Sequence, residues 1–147
     1  MKVGIANDHR GVELKNKIIK YTHDNGIECV DFGTNFKESS DYVDYAIKLC
    51  KAINNKEIDL GVLICGTGIG MSIAANKVKG IRCARVLNEK EALLAKEHNM
   101  ANVIALKEDE ENYERIIYTF LNTNFSSDER HIRRVEKINK IEGGNYE

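Results

Sequence analysis

Short apolar runs rich in β-branched residues recur along the chain at 2–6, 27–31, 60–64, 81–86 and 101–106. Their length and composition read as five strands. Between them the apolar positions change to helical spacing: Leu14, Ile18 and Tyr21; then Tyr42, Tyr45, Ala46, Leu49, Cys50 and Ile53; then 69–78 and 89–97. Alternation of strand and helix predicts a parallel sheet, because each crossover helix must pack back on the sheet with the same hand. Both faces of such a sheet are covered. The expected class is α/β, a single Rossmann-like three-layer αβα domain over 1–147 built on a five-stranded parallel sheet.

Two more helices follow the last strand. Tyr113, Ile116, Ile117, Phe120 and Leu121 stack on one face, which suits a helix lying on the sheet. The extra C-terminal helix, about 127–141, carries an apolar stripe at Ile132, Val135 and Ile138, with Arg130 and Arg134 four apart on a neighbouring face. A terminal helix of this kind is well placed to reach a second subunit.

Composition narrows the class without changing the fold. A chain of 147 residues, 42% hydrophobic, can hold one core without disulfides or metals. With 31% charged residues and a formal net charge of -1, no general attraction to nucleic acid is expected. No apolar run approaches the roughly 20 residues that cross a bilayer, and the first residues run into a strand without a signal-peptide pattern, so a cytoplasmic protein with no membrane partner is expected. The four cysteines form no Cys-x-x-Cys pair and no histidine cluster completes a zinc site, so they read as reduced thiols, three of them filling core space.

The most informative stretch runs from Leu63 to Ser72, where a buried strand ends in Cys65, passes through Gly66, Thr67, Gly68 and Gly70, and enters a helix. Three glycines in five residues let backbone come close to a ligand, and a helix start offers unpaired N–H groups with positive potential. The Gly-x-Gly-x-Gly spacing is neither a nucleotide P-loop nor a dinucleotide fingerprint. The field that holds an anion here also stabilises a thiolate. A base beside such a ring of donors suits enolisation: a sugar carbonyl oxygen aimed at the 66–70 amides and the Thr67 hydroxyl is stabilised as charge develops, each donor being worth about 10²- to 10³-fold in rate. The plainer reading of Cys65 is a buried cysteine closing a strand before a tight turn.

Two further signals flank it. Asp8 and His9 follow the first strand, where an open α/β sheet places its ligand crevice; they can handle sugar hydroxyls and a proton, or Asp8 or Asn7 can simply cap the helix beginning near Gly11 and leave His9 a solvated loop residue. His98 and Asn99 lie between a helix and the fifth strand. A histidine there can open a cyclic hemiacetal, taking one proton and giving another, or it can be a helix C-cap favoured by the dipole.

Together, Asp8-His9, Asp31-Phe32-Gly33-Thr34, Cys65-Gly66-Thr67-Gly68-Ile69-Gly70, Ser72-Ile73-Ala74-Ala75-Asn76-Lys77, Gly80-Ile81-Arg82 and His98-Asn99 resemble the type B ribose-5-phosphate isomerase family. That family also includes galactose-6-phosphate and allose-6-phosphate isomerases. The likeness runs over about 2–141. It implies an aldose-ketose isomerase of a phosphorylated sugar, without metal or cofactor, working through an enediolate as a homodimer or dimer of dimers with shared active sites. By position, the resemblance makes Cys65 the proton-transferring base and Thr67 with Gly66, Gly68 and Gly70 the anion hole. His98 and Asp8 become the ring-opening pair, while Tyr42, Ser72 and Asn99 place the sugar. His9, Arg130 and Arg134 hold the phosphate.

Topology adds an independent expectation. Asp8 and Cys65 follow their strands whereas His98 and Asn99 precede theirs, so the two groups belong to opposite edges of a parallel sheet, and His98 is expected to serve the Cys65 of a partner chain across a two-fold axis. The sequence departs from the family pattern at Val43, at Met100 and at the acidic run Lys107-Glu108-Asp109-Glu110, where only Lys107 and Arg10 are at hand to offset like charges near a phosphate. Two other classes fit parts of the pattern: a non-catalytic sugar-phosphate-binding subunit, and a cysteine-based redox or acyl-transfer enzyme, which would need a resolving thiol or a base on Cys65.

Overall fold

A computed structural model of the chain describes residues 1–146. Its elements in order are β1 (Lys2–Asn7), a 3₁₀ turn (His9–Gly11), α1 (Val12–Asp24), β2 (Glu28–Asp31), α2 (Tyr42–Asn54), β3 (Leu60–Cys65) and α3 (Ile69–Asn76). Then come β4 (Cys83–Arg85), α4 (Glu89–Glu97), β5 (Val103–Lys107), α5 (Tyr113–Asn122) and α6 (Glu129–Glu142). The five strands form one parallel sheet in the order β2-β1-β3-β5-β4. Among the described residues no helix is long and apolar enough to cross a membrane.

Strand alternation divides the core in two. On one face Val3, Ile5, Val62, Ile64, Ile104 and Leu106 pack with Leu14, Ile18, Ala92, Ile116 and Phe120. On the other, Ala6, Leu63, Cys65, Val103 and Ala105 pack with Leu49, Cys50, Met71 and Ala75. Helices α1, α4 and α5 therefore cover one face and α2 and α3 the other, the expected three layers. Cys65 points into the α2/α3 layer because it is one residue past Ile64.

Several boundaries differ from the pattern, each for a local reason. β4 is shorter than 81–86 because side chains take over its first backbone groups: Asn102 Oδ1 accepts from Arg82 N at 2.8 Å and Asn76 Oδ1 from Cys83 N at 2.8 Å. The same Asn76 ends α3 before 78, its Nδ2 donating to Cys83 O at 2.8 Å while Lys77 N and Val78 N bond three residues back. α6 starts two residues later than 127, because Asp128 accepts from Arg130 N at 3.0 Å and so caps it. Its inward face is also rotated: His131, Val135 and Ile138 turn to the protein while Ile132 is exposed.

α4 is tied to α5 by Lys96 Nζ, which donates to Phe120 O at 3.0 Å and lies 5.1 Å from the centre of the Phe120 ring. Burial pushes the Lys96 ammonium below its ordinary range. Phe120 is fully enclosed. Phe120→Ala removes this ring and leaves a cavity, with an expected loss of about 3–5 kcal/mol read by urea unfolding.

Candidate active site

From β1 the sheet grows sideways to β2 in one direction and to β3 in the other, so β1 and β3 flank the point where the strand order reverses. A crevice opens outside the carboxyl ends of such a pair. The register Asn7↔Ile64 puts Asp8 beside the end of β3, and Asp8 N donates to Ile64 O at 3.2 Å.

Cys65 is 5% exposed, its neighbours Thr67 and Ile69 are exposed, and its Sγ accepts from Gly68 N at 3.2 Å. Gly68 has φ +78°, the left-handed region, and a Cβ there would lie 3.0 Å from Leu106 backbone. That conformation turns the amide toward the sulfur. Thr67 Oγ1 accepts from Ile69 N at 3.1 Å, so two of the expected donors are already engaged by the loop itself. Gly70 and Met71 sit in the first turn of α3, where amides have no carbonyl four residues back. Tyr42 lies directly over Gly70, within 2.6 Å of where a Cβ would be. The Ser72 hydroxyl donates to Ile69 O at 2.9 Å, inside the helix.

Burial pushes the Cys50 thiol up to about 12 and raises Cys29 and Cys83 as well. All four are unpaired.

Asp8 is 4% exposed; its Oδ1 accepts from Arg10 N at 2.9 Å, capping the 3₁₀ turn, and Oδ2 lies 4.0 Å from His9 Nδ1. Both the capping role and a place beside Cys65 are thus present. His9 is held by Ser40: its backbone N donates to Ser40 Oγ and its Nδ1 accepts from Ser40 N, both at 3.2 Å. The neutral ring then carries its proton on Nε2. Arg10 donates to Glu108 through Nε at 2.6 Å and Nη2 at 3.0 Å, and this bonded carboxylate raises the guanidinium further above its ordinary range. Arg10 is therefore already paired. Arg85 Nε donates to Thr67 O at 2.8 Å, fastening the glycine loop to β4.

A second group collects at the amino edge. His98 is the C-cap of α4, Asn99 is exposed, and both precede β5. The His98 ring stacks on His131 with centroids 4.1 Å apart and planes 13° from parallel, and its Nε2 lies 3.3 Å from Glu97 Oε1. Arg130 and Arg134 are exposed on the same helix as His131, with Arg130 Nε 3.2 Å from Asp128. In β3 and β5, Gly61 pairs with Val103 and Cys65 with Lys107. Four residues of strand, about 13 Å, therefore separate the two edges before the loops add more.

The structure thus brings Asp8, His9, Tyr42, Cys65, Thr67, Gly66, Gly68, Gly70 and Ser72 to the carboxyl edge, and His98, Asn99, Arg130 and Arg134 to the amino edge. Grooves run beside each group: one lined by Tyr42, Gly70, Ile73 and Val78, another by Asn76, Arg82, Asn99, Ile138 and Glu142. Sequence reading missed Ser40, Arg85 and His131, all of which meet their partners across long stretches of chain. No periodicity or motif marks them.

Residues 3–138 match the model of the ribose/galactose isomerase family. Ribose-5-phosphate isomerase B of Escherichia coli is 38% identical over 144 residues, covering 96% of both chains. Among solved structures, Clostridium thermocellum ribose-5-phosphate isomerase B superposes with a TM-score of 0.94 at 44% identity, over 98% of this chain and 99% of that one. The Mycoplasma genitalium ribose-5-phosphate isomerase B with bound ribulose 5-phosphate gives 0.89 at 41% identity, over 97% and 96%.

Gly68→Ala should lower stability by about 1–3 kcal/mol, since the left-handed conformation resists a Cβ. Thermal unfolding reads the loss.

Proposed function

Because the chain belongs to the ribose/galactose isomerase family, we propose that it interconverts the aldose and ketose forms of a phosphorylated sugar, with ribose 5-phosphate and ribulose 5-phosphate as the pair. The pair is the one named for the similar Escherichia coli enzyme and for the ligand of the Mycoplasma genitalium structure. The observation that carries the mechanism is a lone thiol sulfur at the switch point, bonded to the Gly68 amide and next to the first turn of α3.

In this reading Cys65 Sγ takes the proton from the carbon beside the carbonyl. The oxygen gains charge as the enediolate forms, and the Gly70 and Met71 amides with the Thr67 hydroxyl offset it. The proton returns to the neighbouring carbon and a hydroxyl proton moves the other way, so no external oxidant or reductant enters. Asp8 and Tyr42 orient hydroxyls, and the Nε2 proton of His9 points to phosphate oxygen. Residues 1–147 act as one catalytic domain.

Cyclic substrate must first open, which needs a group that both gives and accepts a proton near neutral pH. His98 has that chemistry but stands at the far edge. It serves the Cys65 of a second copy across a two-fold axis, bringing Asn99, Arg130 and Arg134 with it, so that each homodimer holds two composite sites. The exposure of His98 and both arginines supports this arrangement. A cytoplasmic location follows from the same reading and is supported by the four unpaired cysteines.

Incubation with C4 to C6 aldose phosphates in deuterated water tests the reaction class: label should enter at the carbon beside the carbonyl, and no label from any sugar would remove the assignment. Cys65→Ser should slow that exchange by about 10²- to 10⁴-fold while ribulose 5-phosphate still binds, because an alcohol is a far weaker base. Near-normal turnover would refute the role of the sulfur. Mixing Cys65→Ala chains with His98→Ala chains should restore roughly a quarter of wild-type activity, since half the dimers are mixed and each has one intact site. Mixed dimers without activity would rule out the shared arrangement.

A further inference from the structure

Of the four histidines, His131 is the most enclosed, at 6% exposure, and none of the roles above uses it. It is the third residue of α6, and its ring covers one face of His98 at 4.1 Å with nearly parallel planes. Glu97 Oε1 engages His98 Nε2 from the edge. The remaining side of the His98 ring faces outward, 37% of its side chain being exposed.

A chain of short bonds fixes where His131 stands. Ser126 N donates to Glu97 O at 2.9 Å, joining the segment before α6 to the end of α4. Asp128 N donates to Ser126 Oγ at 3.0 Å, and Asp128 in turn receives Arg130 N on its side chain and His131 N on its carbonyl, each at 3.0 Å. The two rings are thus held by the same few residues. An exposed histidine ending a helix otherwise samples several rotamers, and a ring that must give one proton and take another needs one plane.

We propose that His131 is a positioning residue, stacked on His98 to fix the plane in which His98 opens the cyclic sugar phosphate. Two parallel imidazoles tolerate one positive charge between them better than two. Burial, followed by the charges of His98, Arg130 and Arg134, pushes His131 below its ordinary range, with Asp128 opposing in part. His131 is therefore biased toward the neutral form, a flat plate against which the His98 ring lies. The same turn of α6 carries Arg130, so phosphate grip and ring orientation share one rigid element.

This inference rests on His98 as the ring-opening group, and two substrates separate the claims. Ribose 5-phosphate is largely cyclic; ribulose 5-phosphate is open, because its O5 is phosphorylated and no five-membered ring can close. His131→Ala should lower kcat from ribose 5-phosphate about tenfold or more with KM little changed, while deuterium exchange at C1 of ribulose 5-phosphate stays within about twofold. His131→Phe, which keeps a flat ring, should recover most of the forward rate. In a spectrum of the folded protein the His98 ring protons should be shifted upfield in the wild type and in His131→Phe, and lose that shift in His131→Ala.

Both reactions falling together in His131→Ala, neither falling, or His131→Phe doing no better than His131→Ala would each overturn the positioning role. So would the absence of an upfield shift in the wild type. Wild-type protein inert toward both sugars would instead remove the isomerase reading. A His98→Ala variant that opens ribose 5-phosphate at full rate would remove the premise about His98.

Discussion

Where a parallel sheet reverses its strand order, the two helices that leave the flanking strands go to opposite faces and no helix covers the gap between the strand ends. In this protein the gap lies between β1 and β3. Asp8 and Cys65 are the residues that step into it, and a single backbone bond, Asp8 N to Ile64 O, fixes their spacing. The rest of the carboxyl-edge arrangement depends on that reversal. The left-handed Gly68 can aim its amide at the sulfur only because β3 ends there, and α3 presents its first turn only because it must start back over the sheet.

The same parallel order that brings these residues together keeps the proposed ring-opening group away from them. In a parallel sheet every residue that precedes a strand stands a strand length from every residue that follows one. His98, Asn99 and the α6 arginines are therefore kept from the thiol by the geometry of β5 itself. No side-chain rearrangement spans about 13 Å of strand plus loops. In the homodimer proposed above, a second copy related by two-fold symmetry removes the difficulty without changing either edge, since each edge then meets its complement twice.

Local signals carried much of this in the sequence. The helical spacing at 89–97 marks both ends of α4, and two bonds fix its start: Asn88 Oδ1 accepts from Glu91 N at 2.8 Å and Glu91 Oε1 from Leu87 N at 2.8 Å. The Cys65 turn was legible from glycine spacing, and a cap at Asn7 or Asp8 from residue type; the bond to Arg10 N selects Asp8. Sheet order was not, because alternation dictates parallel strands and their handedness but not that β5 lies between β3 and β4. Nor was the inward turn of His131, since Ile132 completes an equally good apolar stripe on paper. Its choice is made by Asp128, which caps α6 and sets the rotation of its first turn, and by the ring of His98 waiting beside it.

The acidic run after β5 poses an electrostatic question that the fold answers. With Glu111 the run holds four carboxylates, which beside the proposed phosphate site would repel a dianion if all were free. Glu108 is not free, because Arg10 binds it through two nitrogens, and the pair lies beside Gly66 as a locally neutral lid on that side of the loop. Glu110 is turned inward, accepting from Asn112 N at 3.1 Å at the start of α5. Only Asp109 and Glu111 then face solvent from this run, where water and salt screen them within about 10 Å. The pairing has a cost in the other direction: Arg10 is spent on Glu108 and offers a phosphate little. In the arrangement proposed above, phosphate binding rests on His9 on one side and on α6 of a second copy on the other, with the substrate lengthwise across their junction.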